Sequence, residues 1–139
     1  MRKILIAASI LLLSVTICGA STVPVLNPTG SKSFIITNPT AAADGPVWRA
    51  SVAITITAVH VLCVDGVNVV GQLWNFDANG LNGATVDSSD ITGTAGTNVN
   101  DDGSLSAPSI AIGHYVGWKT TSVSGTVTKV VVTFDYQEA

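Results

Sequence analysis

Charge is scarce in this chain. Asp, Glu, Lys and Arg make up 11% of its 139 residues, and the shortage removes several classes of function before any motif is considered. Glu138 is the single glutamate, so the glutamate pair of a glycoside hydrolase is missing, and the spacing of the aspartates singles out no substitute pair. The six basic residues form no stripe able to neutralise phosphates, which argues against nucleic acid as a partner. The two histidines, His60 and His114, fall in separate predicted strands with no nucleophile motif beside either. His60 lies on an apolar strand face, where a hydrogen-bonded structural role is expected. No cofactor is implied, and a protein without catalytic activity is expected. Both Asn-x-Thr triplets, Asn27-Pro28-Thr29 and Asn38-Pro39-Thr40, carry the proline that blocks glycosylation.

Cysteine and long apolar runs are equally limited. The uncharged run Ile4 to Ile17 follows Arg2 and Lys3 and ends before Cys18-Gly19-Ala20. It is shorter than the roughly 18 residues a spanning helix needs, and Ala20 offers the small residue that a signal peptidase requires. Residues 1–20 therefore read as a cleaved signal peptide, and no membrane association is expected after cleavage. Acylation of Cys18 is disfavoured because bulky Ile17 precedes it. With the signal gone, Lys32, Arg49, Lys119 and Lys129 face nine acids, a formal charge of −5. Cys63 is then alone, which excludes an intrachain disulfide. It reads as a small packed hydrophobe, with an intermolecular disulfide as the alternative in an oxidising compartment.

What the chain does have is valine, isoleucine and threonine in period-two patterns, with a core of sufficient size for one domain. Three tracts are expected: the signal peptide 1–20, an extended arm 21–33 containing Pro24, Pro28 and Gly30, and a single β-sandwich domain over 34–139. The organising stretch is Ala58 to Phe76, two apolar runs joined by Asp65-Gly66. Asp-Gly tolerates the positive φ that a type I′ turn needs at both central positions, so this tract reads as a hairpin. In that register Val64 faces Val67, Leu62 faces Val69, His60 faces Gly71 and Ala58 faces Leu73. Both faces are largely apolar. One belongs in a sandwich interior; the other is covered by a loop or arm, or is buried against another chain.

Around it the remaining strands follow. A short strand covers about Ser33 to Thr37. Residues Val47 to Thr57 alternate as one strand, and the phase slips near Ala58, as at a β-bulge or a crossing between sheets. Asp77 to Ser109 is the longest irregular region, with short strands at Ala84 to Val86 and near Ile91, and is a candidate binding surface. His114 to Thr121 form a strand, Ser122 to Gly125 a turn, and Thr126 to Tyr136 the last strand, with Val130, Val132, Phe134 and Tyr136 on one side. The class is all-β: a jelly-roll-like sandwich of seven to eight strands.

Two further constellations bear on function. Trp48, Trp74 and Trp118 are the candidate ligand-binding residues, because aromatic faces stack on sugar rings and β-sandwiches carry such platforms; their place inside strands favours packing. Asn98, Asn100 and Asp102 have the spacing of a calcium loop, but Ser109 stands where a bidentate Glu belongs, so a polar turn is favoured and no metal is expected.

The tract from Ile110 to Tyr136, through Gly113, Trp118, Thr120, Thr121 and Gly125, resembles the small β-sandwich proteins of phage virions and tails. In those, a Gly-rich loop leads into an I-x-x-G-x-x-x-x-W/L-x-T-T strand, a Ser-Gly turn and a final Val/Thr-rich strand ending in an aromatic. The resemblance spans about residues 47–139 and implies a structural, assembling role. The expectation is thus an exported, extracellular or particle-associated, non-enzymatic subunit that self-associates or joins an assembly partner. A secreted carbohydrate-binding module is the alternative.

Overall fold

The computed structural model describes residues 27–41, 44–100 and 104–139. The signal peptide and residues 21–26 of the expected arm lie outside them. The described chain forms ten strands: β1 Thr29–Thr37, β2 Asp44–Arg49, β3 Ile54–Val64, β4 Asn68–Phe76, β5 Gly83–Thr85, β6 Ile91–Thr94, β7 Asn98–Asn100, β8 Ser109–Ile110, β9 Tyr115–Ser124 and β10 Lys129–Glu138. None of the described residues is helical, and no helix among them is long and apolar enough to cross a membrane.

These strands build two antiparallel sheets. Sheet 1 has the order β1-β10-β3-β7, with β8 also on β3; sheet 2 has the order β2-β9-β4-β5, with β6 also on β4. The pairings are nested: β1 with β10, β2 with β9, β3 with β7 and β8, β4 with β5 and β6. A long antiparallel ribbon rolled so that successive strands of each arm fall in alternate sheets gives this pattern, which is the jelly roll. The expected class is therefore present.

The central hairpin is not. Asp65 (φ 60°) and Gly66 (φ 69°) both adopt the left-handed conformation that the sequence demands, yet β3 and β4 belong to different sheets. Rather than closing a ladder between its own flanks, the turn is held by distant chain. The Val67 amide donates to Ser124 O (2.9 Å), the Thr128 amide to Val64 O (3.2 Å), and the Thr128 hydroxyl to Asp65 Oδ2 (2.6 Å). The apolar rows explain the outcome. Val59, Val61 and Cys63 point inward from sheet 1, and Val69 and Leu73 point inward from sheet 2, all at 0–1% exposure. Facing each other across the sandwich buries both rows, at about 1.5–3 kcal/mol for each large side chain, whereas side-by-side pairing would bury them only against a third element.

Two other boundaries move for related reasons. The expected strand Val47 to Thr57 divides, because the chain changes sheets at Ala50, whose amide donates to His114 O (2.9 Å) and whose carbonyl accepts from Gly113 (2.8 Å). β1 starts at Thr29 rather than near Ser33, so residues 29–33 of the expected arm are strand. Continuous pairing from Thr29↔Gln137 to Thr37↔Lys129 supports them, and main-chain bonds of that kind leave no mark in side-chain pattern. The slip near Ala58 is a bulge: β10 passes from Asp135↔Ala58 to Tyr136↔Ile56, leaving Thr57 unpaired. Parity in the last strand is as read, with Val130, Val132 and Phe134 fully buried.

Candidate functional site

Alternation along β9 and β4 decides the fate of the tryptophans. Trp118 follows inward-facing Val116 by two residues and is 1% exposed; its indole N–H donates to Thr120 Oγ1 (3.2 Å) inside the core. The ring occupies the space over Gly71, where a Cβ would stand 2.6 Å from it. Trp48 points into the mouth of the sandwich between edge strands β1 and β2. Its ring centroid is 5.5 Å from that of Phe134 and 5.9 Å from that of Tyr136, with Lys32 Nζ at 5.9 Å. Trp74 succeeds buried Leu73 and faces outward from sheet 2, 6.1 Å from Phe76 and with Lys119 Nζ 4.5 Å above its ring. The fold thus separates the three rings: one in the core, one in the lateral mouth and one on an outer face.

The outer face of sheet 2 is the more aromatic of the two. Trp74 and Phe76 lie on β4 beside Gly83 of β5 and Gly117 of β9, whose missing side chains leave room for the rings. Tyr115, paired with Phe76, carries Arg49 at 5.8 Å from its centroid. Phe76 is only 6% exposed, and the buried Trp74 Nε1 has no hydrogen-bond acceptor among the described residues. Chemically this is a cation-framed aromatic surface, worth about 0.5–1 kcal/mol per exposed cation–π pair.

The outer face of sheet 1 is different. Register places Ile35, Val131 and Leu62 in one row across β1, β10 and β3; Ile35 is 61% exposed. The next row holds Ser33, Thr133 and His60. Ser33 and Thr133 share a hydroxyl hydrogen bond (2.7 Å), and His60 Nε2 lies 3.3 Å from Asp135 Oδ2. His60 is therefore a hydrogen-bonded surface residue. His114 is separate, its Nδ1 lying 3.1 Å from Asn75 Oδ1.

Asn98 and Asn100 stand in β7, paired with Leu62 and His60 of β3; Asp102 lies outside the described residues. Extended, laddered backbone at 98–100 is not the tight wrap that the calcium spacing presupposes. Among the described residues no three His, Cys, Asp or Glu side chains converge as metal ligands. Cys63 is 1% exposed and its thiol donates to Asp65 O (3.3 Å). Burial, reinforced by the Asp65 charge, pushes its pKa up, which keeps the thiol protonated and a poor nucleophile.

Sequence reasoning missed Asp87. In a Gly/Ser-rich tract it reads as a turn residue, yet it is fully buried and its Oδ2 accepts the Leu73 amide (2.8 Å). It satisfies the β4 backbone just where β5 has ended and β6 has not begun. Nearby, Asp77 organises the β4–β5 loop: Oδ1 accepts from the Asn79 (2.9 Å) and Leu81 (3.1 Å) amides and Oδ2 from the Asn82 side chain (2.8 Å). The Leu81 amide first, then the Asn82 side chain, hold this carboxyl below its ordinary pKa.

No family model matches the chain and no curated protein matches it. Among solved structures it is similar to a chain of the cyanophage Pam1 capsid asymmetric unit, at 20% identity and a TM-score of 0.48, over 81% of this chain and 84% of that one. It is also similar to a chain of the Bacillus endospore appendages described as disulfide-linked pili, at 9% identity and a TM-score of 0.40, over 81% and 91%. A chain of infectious bursal disease virus, Gx strain, matches at 14% identity and a TM-score of 0.29, over 81% and 34%.

Proposed function

We propose that this chain is a non-enzymatic structural subunit, exported or particle-borne, that assembles with copies of itself through its sandwich faces and strand edges. The observation that carries the proposal is the apolar row Ile35–Val131–Leu62 on the outer face of sheet 1, which runs to β1, an edge left unpaired among the described residues. In a lone sandwich an outward row tends to be polar, and an apolar row that reaches an unpaired edge is suited to a protein contact. No cofactor has a role in this reading. Light scattering over a concentration series tests it. A discrete mass above that of one chain, or a mass that grows with concentration, is expected; a single-chain mass at every concentration overturns the proposal.

A second reading is favoured by the outer face of sheet 2. Trp74, beside Phe76 and under Lys119, is the one candidate tryptophan that faces outward, and a secreted carbohydrate-binding module would use it as its stacking platform. The test is a broad glycan screen repeated with Trp74→Ala. Binding that is lost in the variant supports the module, and its absence in the parent removes it.

A further inference from the structure

The edges of the two sheets are guarded unequally. β2 is six residues long, contains Pro46 and has an irregular register between Pro46 and Trp48. On the opposite side of the sandwich the edges are fragments: β5 of three residues and β6 of four in sheet 2, β7 of three and β8 of two in sheet 1. Short strands, proline and register irregularities are the usual devices that prevent edge-to-edge pairing. β1 has none of them. Its nine residues, Thr29–Thr37, pair with β10 in unbroken register, and among the described residues its other side is unpaired. The one charge on β1 is Lys32, which points inward with its Nζ 5.9 Å from the Trp48 ring centroid and is the single guard this edge carries.

From this inequality we infer that β1 pairs antiparallel with β1 of a second copy, joining the two first sheets into one continuous sheet about a two-fold axis. The inference rests on the assembly reading above and names its interface. Length selects the occupant: an edge of nine residues is matched by another β1, whereas every other described edge is shorter, broken or proline-bearing. A two-fold contact of this kind closes on itself, because each copy presents the same edge to the other. The outer row of β1 is Ser31, Ser33, Ile35 and Thr37, so no like charges meet across the outer face of the joint. The joint would also place both Ile35–Val131–Leu62 rows on one face, doubling the apolar surface offered to further subunits.

The test combines mass with hydrogen exchange on protein expressed from the full 139-residue sequence. In the dimer, the alternate β1 amides not donated to β10 gain protection in proportion to dimer, while the other edges do not change. Ser33→Lys with Ile35→Lys, which places four like charges around the joint, is expected to weaken association by about tenfold or more; Thr92→Lys on β6 is expected to leave it unchanged. Circular dichroism checks that each variant retains the all-β fold, and the exchange pattern of the parent stands whether or not the variants fold. Association without β1 protection overturns this interface while leaving the assembly proposal intact. A single-chain mass at all concentrations, with β1 amides exchanging freely, overturns both.

Discussion

Individual residues in this molecule carry loads that their type does not advertise. Asp87 is a fully buried acid whose Oδ2 accepts the Leu73 amide. Asp87→Ala leaves that buried donor without its acceptor, and a loss of about 1–3 kcal/mol is expected in denaturant unfolding; Asp87→Asn keeps an acceptor oxygen and should lose less. Asp77 works at the surface. Because its folded pKa is depressed, the stabilisation of the β4–β5 loop is fully present above the ordinary carboxylate value near 3.8 and is lost as pH falls through the lowered folded value. Amide shifts of Asn79 and Leu81, followed by NMR on acidification, should move together in that window, below the ordinary Asp range. An unchanged loop spectrum down to full protonation of Asp77 would count against its organising role.

At the scale of the element, the β3–β4 turn shows how local chemistry and tertiary partners divide the work. Asp65 and Gly66 supply the left-handed conformation, but Ser124 at the end of β9 and Thr128, just before β10, supply the hydrogen bonds. A Cβ at Gly66 would stand 2.6 Å from Val127 Cγ2 at φ 69°. Gly66→Ala therefore combines backbone strain with a clash, and a cost of roughly 1–3 kcal/mol is expected from its thermal unfolding midpoint. The turn itself was readable because Asp-Gly is a strong local signal. Its consequence was not, since two strands joined by such a turn can lie side by side or across a sandwich with the same local dihedrals. The phase slip near Ala58 was readable for a complementary reason, and the register makes it a bulge at Thr57 rather than a crossing between sheets: one extra residue moves Val59 and Val61 to the parity opposite that of Ile54 and Ile56, and an alternating pattern registers the change.

For the molecule as a whole, β10 is the keystone of sheet 1, lying between β1 and β3 and supplying Val130, Val132 and Phe134 to the core. A chain ending at Thr128 leaves β1 without its partner, leaves β3 with only the short β7 and β8, and lacks three fully buried side chains; no cooperative unfolding transition is expected for it by circular dichroism. The same topology joins residues from the two ends of the described chain, as in Thr29↔Gln137. Refolding of the intact chain is accordingly expected on the millisecond-to-second scale of non-local β proteins, measurable by stopped-flow tryptophan fluorescence.

The candidate surfaces were legible only in part. Apolarity on both sides of the β3 region showed in residues 58–64, because period two exposes each face separately, and the outward set Ala58, His60, Leu62 and Val64 is half-buried. The scatter of Trp48, Trp74 and Trp118 could not be read, since each ring's surroundings depend on which sheet its strand joins. By itself the sequence determined the all-β class, the alternation of the last strand, the Asp65-Gly66 turn and a one-residue phase slip near Ala58, all set by interactions within a few residues. The tertiary structure alone decided that consecutive strands alternate sheets, that Asp87 is buried, and that β1 is a long edge strand, unpaired on one side among the described residues. Those outcomes depend on burying whole faces and satisfying backbone groups across separations of up to about a hundred residues, a choice no local pattern encodes.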